Sequence, residues 1–198
     1  MLRLQRKKID KKGFTILEVT IAISVILIGI SSTIILITTV INKMTVLPSQ
    51  LVATYLAQEG IEIIRNARDT NWLEGLEGGI DWQTGITLDC MSGCEADYTN
   101  TDSAIPSFDP FTTPGRNLYI ENIDGTDVGD GFYKYIDFPD ANDIKTPFIR
   151  KITVLSSADL DLPPLEQENS MLIIVEVSWI EKGGYYKYTA QEMLYNWR

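Results

Sequence analysis

Residues 12–42 read KGFTILEVTIAISVILIGISSTIILITTVIN, and this stretch decides how the rest of the chain is read. From Val19 to Asn42 there is no charged side chain, and Ile, Val and Leu dominate. At 1.5 Å per residue, twenty-odd helical residues span about 30 Å, the thickness of a bilayer's hydrocarbon core. The same β-branched content would suit strands in water, but no strand of that length fits a compact domain. In lipid, an isolated spanning segment must satisfy its own backbone hydrogen bonds, and that forces a helix. Ser24, Gly29, Ser31, Ser32 and Thr33 leave narrow places where neighbouring helices can approach. An ordinary secretory signal has a shorter apolar core and ends in a small-residue cleavage site. Neither feature is present here, whereas an uncleaved signal anchor shares this composition.

Charge is distributed unevenly around that segment. The chain has 198 residues with 17 Lys and Arg against 27 Asp and Glu. Six of the basic residues (Arg3, Arg6, Lys7, Lys8, Lys11 and Lys12) and one acid, Asp10, fall in residues 1–13, leaving 11 basic against 26 acidic beyond them. A basic leader before an apolar span predicts a cytoplasmic N-terminus, with everything after Asn42 outside. A body of net charge −15 repels phosphate backbones, so nucleic acid is not expected as the main partner.

Glu18 is the only ionisable side chain between Lys12 and Lys43. A carboxylate at the centre of a membrane helix costs about 2.5–3.5 kcal/mol on insertion scales, so it is rarely idle. The plainer reading puts Glu18 at the interface, where the cost is small and its charge favours the helix N-terminus. The order of features is basic leader, Gly13-Phe14, Glu18, then the apolar helix. In that order, Lys12-Gly13-Phe14-Thr15-Ile16-Leu17-Glu18 resembles the processing site of type IV prepilins and pseudopilins. The resemblance covers mainly residues 7–42. It implies that prepilin peptidase cuts between Gly13 and Phe14, that Phe14 becomes the N-methylated terminus, and that Glu18 meets the N-terminal amine of a neighbouring subunit during assembly.

The implied partners are prepilin peptidase, other pilin subunits in a helical filament, the inner-membrane assembly platform and the membrane itself. The implied location is the cytoplasmic (inner) membrane as a single-pass protein before assembly, then a pilus or pseudopilus outside the cytoplasm. A long, loop-rich outer region and the lack of proline in the apolar run lean toward a minor pilin or pseudopilin. The alternative is an uncleaved, single-pass membrane-anchored extracytoplasmic binding protein.

Four segments follow: a leader (1–13), a transmembrane or filament-core helix (14–44), an outer half of the helix (45–70) and an extracytoplasmic loop-rich and β-sheet region (71–198). In the outer half, Leu51, Val52, Tyr55, Leu56, Gly60, Ile63 and Ile64 recur at helical spacing and predict one apolar face. Glu62 can meet Arg65 one turn on, while Glu59, Arg65 and Arg68 suit a solvated side. Pro48 is expected to end or bend the helix locally, and Arg68-Asp69-Thr70-Asn71 reads as its end.

Residues 72–147 are rich in Gly, Asp, Asn, Thr and Pro, with Leu118-Tyr119-Ile120 and Phe132 to Ile136 as short strands. Strand composition returns at Ile149 to Leu155, Met171 to Ile180 and Tyr185 to about Leu194, with Ile173, Val175, Val177 and Trp179 alternating with polar or outward positions. Gly183-Gly184 reads as the turn between the last two strands. The expected class is α+β: a long N-terminal helix packed on a C-terminal antiparallel sheet, with a loop-rich middle. That arrangement is also what the resemblance implies.

The two cysteines, Cys90 and Cys94, read as a local disulfide on the far side of a membrane, with two free thiols as the alternative. Zinc would need about four ligands, and there is neither another Cys nor any His to supply them. Asp124-Gly125-Thr126-Asp127-Val128-Gly129-Asp130-Gly131 looks like a calcium loop but lacks EF-hand spacing and its twelfth-position glutamate, so a solvated turn is expected. The absence of His, of an activated nucleophile and of a G-x-S-x-G context predicts a chain that is not an enzyme and needs no cofactor. Tyr185, Tyr186, Tyr188, Tyr195 and Trp197 are read as sheet packing rather than as a sticky surface.

Overall fold

The computed structural model describes residues 13, 15–44, 46–78, 81–101, 108–120, 132–139, 143–156 and 169–196. The leader up to Lys12, Phe14, the 124–131 loop and Trp197 lie outside the described residues. The chain divides into two compact units, Met1–Leu47 and Pro48–Arg198. The class is α+β.

The first unit is built on α1, Ile16–Met44. Its stretch Ile16–Ile41 is long and apolar enough to cross a membrane, and none of it is buried against the rest of the chain. At 1.5 Å per residue those 26 residues measure about 39 Å. The hydroxyls along it turn inward. Thr20, Ser24, Ser32, Thr33, Thr38 and Thr39 each donate to a carbonyl three or four residues back, as at Ser24 Oγ to Thr20 O (2.8 Å) and Thr33 Oγ1 to Gly29 O (2.9 Å). Such back-bonding lets a polar side chain sit on a helix in lipid without an unmet hydrogen bond.

A second helix, α2, spans Leu47–Gly78. Val46 N donates to Lys43 O (3.1 Å) between the two helices, and Pro48 stands in the first turn of α2, where its missing N–H costs nothing. The expected continuation of the helix past residue 44 is therefore a separate helix, and it runs eight residues beyond the end read at position 70. Its extension is held from outside. The Asn71 side-chain amide donates to the carbonyls of Trp82 (3.2 Å) and Thr84 (2.8 Å), and the Arg68 guanidinium lies 5.2 Å over the Trp72 ring. Asn71 thus satisfies a loop instead of stopping the helix.

The remaining elements are α3 (Thr87–Cys90), β1 (Cys94–Glu95), a 3-10 turn at Tyr98–Thr101, β2 (Asp109–Pro110), β3 (Tyr119–Ile120), β4 (Tyr133–Lys134), β5 (Ile144–Lys145), β6 (Ile149–Ser156), β7 (Ser170–Glu181) and β8 (Gly184–Tyr195). One antiparallel sheet has the order β2-β1-β6-β7-β8, and a small one the order β4-β3-β5. The spans of β6, β7 and β8 match the sequence expectation to within a residue at each end, whereas β3 and β4 are shorter than expected and β1, β2 and β5 are additional. The last turn also differs: its central residues are Lys182 (φ 49°) and Gly183 (φ 78°), while Gly184 pairs with Glu181 inside the ladder. Two positive φ values mark the mirror-image turn whose twist fits a hairpin. That register sets Tyr186 opposite Trp179, where the rings stack at 5.5 Å.

Period-two alternation puts Ile152 and Val154 of β6 and Met171, Ile173, Val175, Val177 and Trp179 of β7 on the buried face. Against that face α2 sets Ala53, Leu56, Ala57, Gly60, Ile64 and Ala67. Gly60 is required by this contact, since a Cβ there would lie 3.0 Å from Val175 Cγ1 and 3.3 Å from Arg150 Cδ. Small residues, and not the expected Leu51 and Tyr55, make the close face. Leu51 and Tyr55 are exposed on α2 instead.

The core contains a charge that composition conceals. Arg150 on β6 is fully buried, donating to Leu56 O of α2 (3.1 Å) and to Ala96 O just after β1, with Glu59 at 3.3 Å. Glu59, Arg65 and Arg68, expected on a solvated side, are drawn into the fold. Glu59 faces Arg150, Arg65 bridges Glu62 and Glu192 of β8, and Arg68 is buried beside Asp69 and Trp72. Burial pushes the nearby Tyr135 phenol up to about 12; its hydroxyl donates to Arg150 O (2.9 Å).

A buried acid, Glu95, accepts from the Arg116 backbone N–H (2.8 Å) and from its side chain, and Arg116 also reaches Asp109 and Asp137, each at 2.7 Å. Partial burial works against the Arg116 charge, yet Glu95 and Asp109 outweigh it and hold the guanidinium above its ordinary range. This hub ties the loop-rich middle to the edge of the main sheet.

Candidate functional site

The site begins at the amino end of α1. Thr15 precedes the helix, its Oγ1 accepts from Glu18 N–H (3.3 Å), and its carbonyl accepts from Val19 N–H (3.2 Å). Thr15 is therefore the N-cap and Glu18 the third helical residue, the Thr-x-x-Glu spacing of a capping box. That pattern is visible in the residues Thr15-Ile16-Leu17-Glu18 and gives the cap a signal that the junction reading passes over. The cap fixes where the helix starts, so Glu18 sits in its first turn, where the helix dipole favours a negative charge.

Gly13 is exposed, and nothing lies within 4 Å of where a Cβ would stand on it. Phe14, the expected new terminus, is outside the described residues. Glu18 is exposed, and among the described residues it has no cationic partner. Ile16 and Leu17 beside it are 86% and 71% exposed, so the carboxylate stands on an apolar surface rather than in a folded pocket. Chemically, this arrangement can accept a cation on a helix that carries no other charge before Lys43.

Cys90 and Cys94 belong to the second unit, where they are bonded to each other with Cα atoms 4.7 Å apart. The bond joins the end of α3 to the start of β1, and both cysteines are fully buried. Gly93 makes the tight return, with φ at 104° and the space for a Cβ filled by the Lys151 side chain. Gly93 O also accepts from Phe111 N–H (3.0 Å), which links the loop to the residue that follows β2. The pair is a local clamp, remote in sequence from Glu18.

Closing so short a loop removes about 2 kcal/mol of unfolded-state entropy. Replacing both Cys90 and Cys94 by alanine is expected to lower the stability of the second unit by about that much, read as a shift of the urea midpoint without a change in slope. A wild-type protein whose midpoint ignores reductant would refute the clamp.

No family model matches this chain, and no curated protein or solved structure matches it.

Proposed function

We propose that this protein is a filament subunit, a minor pilin or pseudopilin of a type IV pilus or type II secretion-like filament. Its N-terminal helix first anchors it in the cytoplasmic membrane. Prepilin peptidase cuts between Gly13 and Phe14, Phe14 is N-methylated, and the subunit passes through the inner-membrane assembly platform into a helical array of pilin subunits. The reading is structural rather than catalytic, and it needs no cofactor.

One observation carries it: an uninterrupted apolar helix, unburied by its own chain, carries a single acid at its start, next to a Gly-Phe junction behind a basic leader. Exposed apolar surface on this scale has to be covered by lipid or by other helices. A lone carboxylate is tolerated there when a cation meets it, and cleavage after Gly13 creates an amine about one helical turn away. A head-to-tail contact of that kind, repeated without closure, builds an open filament and not a ring. The second unit, with its own core, then stays outside.

The mass of the cellular protein tests this directly. The expected result is a chain beginning at methylated Phe14. A chain still beginning at Met1 would favour the uncleaved membrane-anchored binding protein and remove the filament reading.

A further inference from the structure

The tip of the β7–β8 hairpin is exposed and apolar. Ile180 and Tyr185 face each other across the ladder, and each is 68% exposed. Elsewhere on the five-stranded sheet the exposed large apolar side chain among the described residues is Tyr195, at the opposite end of β8. Lys182 lies in the turn between them, and the stacked pair Trp179 and Tyr186 stands directly behind. An aliphatic, a tyrosine and a lysine gathered and exposed at one end are residue types that settle at a membrane–water boundary.

The geometry of the second unit says where that tip lies. Gly60 of α2 meets Val175 of β7, Leu56 and Glu59 meet Arg150, which pairs with Val177, and Arg65 meets Glu192, which pairs with Ile173. Residue numbers rise along α2 as they fall along β7, so the two elements run antiparallel. From Gly60 back to Pro48 the helix rises about 18 Å. From Val175 on to Glu181 the strand advances about 20 Å. The hairpin tip is therefore level with the first turn of α2. Leu47, where α2 begins, is three Cα steps from Met44, the last residue of α1, and can be at most about 11 Å from it.

We infer that the β7–β8 hairpin tip, through Ile180, Tyr185 and Lys182, seats in the headgroup region of the bilayer that α1 crosses. This rests on the membrane reading of α1. The occupant is lipid, because the short tether keeps the start of α2, and with it this end of the unit, close to the interface. Insertion of an apolar side chain or two at this depth fixes the unit's orientation on the membrane before assembly. The same contact would have to be given up when the subunit leaves the bilayer.

The test uses the full chain reconstituted in phosphatidylethanolamine–phosphatidylglycerol vesicles. An environment-sensitive fluorophore is placed singly at Lys182→Cys, at Gln191→Cys farther along β8, or at Ser31→Cys in α1; the native cysteines are bonded and buried, so labelling is selective. Expected are quenching of the Ser31 label by acyl-chain nitroxides and quenching of the Lys182 label by headgroup nitroxides at least about twofold stronger than at Gln191, as insertion by 5–10 Å implies. Adding Ile180→Ser and Tyr185→Ser should return the Lys182 label to the Gln191 level. A Ser31 label that acyl-chain nitroxides leave bright would sink the membrane reading itself. With Ser31 quenched, equal quenching at Lys182 and Gln191, or a Lys182 signal indifferent to the double serine change, defeats the hairpin inference alone.

Discussion

Replacing Glu18 by glutamine should leave the protein inserted in the membrane and cleaved after Gly13, yet lower its recovery in sheared filaments by at least about tenfold. Glutamine keeps the size of the side chain and the cap at Thr15, whose bond is to the Glu18 backbone N–H and not to the carboxylate. Its carbonyl can accept a hydrogen bond from an ammonium group but carries no charge to neutralise it. In the proposed assembly the carboxylate and the neighbour's N-terminal amine are desolvated together, and removing one charge strands the other at a cost of about 3–5 kcal/mol. Insertion, by contrast, should be slightly easier without the charge. The measurement is the ratio of variant to wild type in the sheared and membrane fractions, with the N-terminal mass taken from each. Wild-type recovery in filaments would take Glu18 out of the mechanism and leave it as a residue that merely suits a helix N-terminus.

Arg150→Ala is expected to destabilise the second unit by about 3 kcal/mol, the low end for a broken buried pair. Three losses add up. Leu56 O and Ala96 O lose a charged donor, the aliphatic stem leaves a void beside Gly60, and Glu59 loses its partner. The low end applies because Glu59 is 35% exposed and can regain water, so little charge is stranded. Arg150→Lys should recover only part of the loss, since one ammonium cannot span carbonyls on α2 and beside β1 as a planar guanidinium does. Urea unfolding followed by the fluorescence of Trp72, Trp82 and Trp179, all buried, reads the difference. A midpoint within error of wild type would mean that neither the bonds of the guanidinium nor the packing of its stem stabilises the unit.

These two residues also mark how far the chain can be read without coordinates. Glu18 is conspicuous because its surroundings in sequence are its surroundings on the helix: an apolar run defines the medium, and one acid stands out against it. Arg150 gives no such signal. It falls in a strand next to Ile149 and Lys151, and the carbonyls it binds lie 94 and 54 positions away. The partners of a buried charge are set by which segments the fold brings together.

Contrasts of the same kind run through α2. Helical periodicity marked the apolar stripe, but Leu51 and Tyr55 fall on the outside while Ala53 and Ala57 lie inside, because contact with a sheet at short distance selects small side chains over large ones. Arg68-Asp69-Thr70-Asn71 looked like a helix end because Asn is a good terminator in isolation. Trp82 and Thr84 supply carbonyls that use up its amide, and the helix continues. At the last hairpin, two adjacent glycines could not say which of them turns, and stacking of Trp179 on Tyr186 is consistent with a turn one residue earlier.

By itself, the order of residues determined the apolar helix and its acid, the alternation of the last three strands and the closeness of Cys90 to Cys94, all properties of neighbours along the chain. Which helix face meets the sheet, where α2 stops, what the buried Arg150 binds and that the β7–β8 tip is level with the start of α2 were decided by the tertiary structure alone. Each of these depends on a partner distant in sequence, and no local pattern of spacing, charge or hydropathy encodes which partner that is.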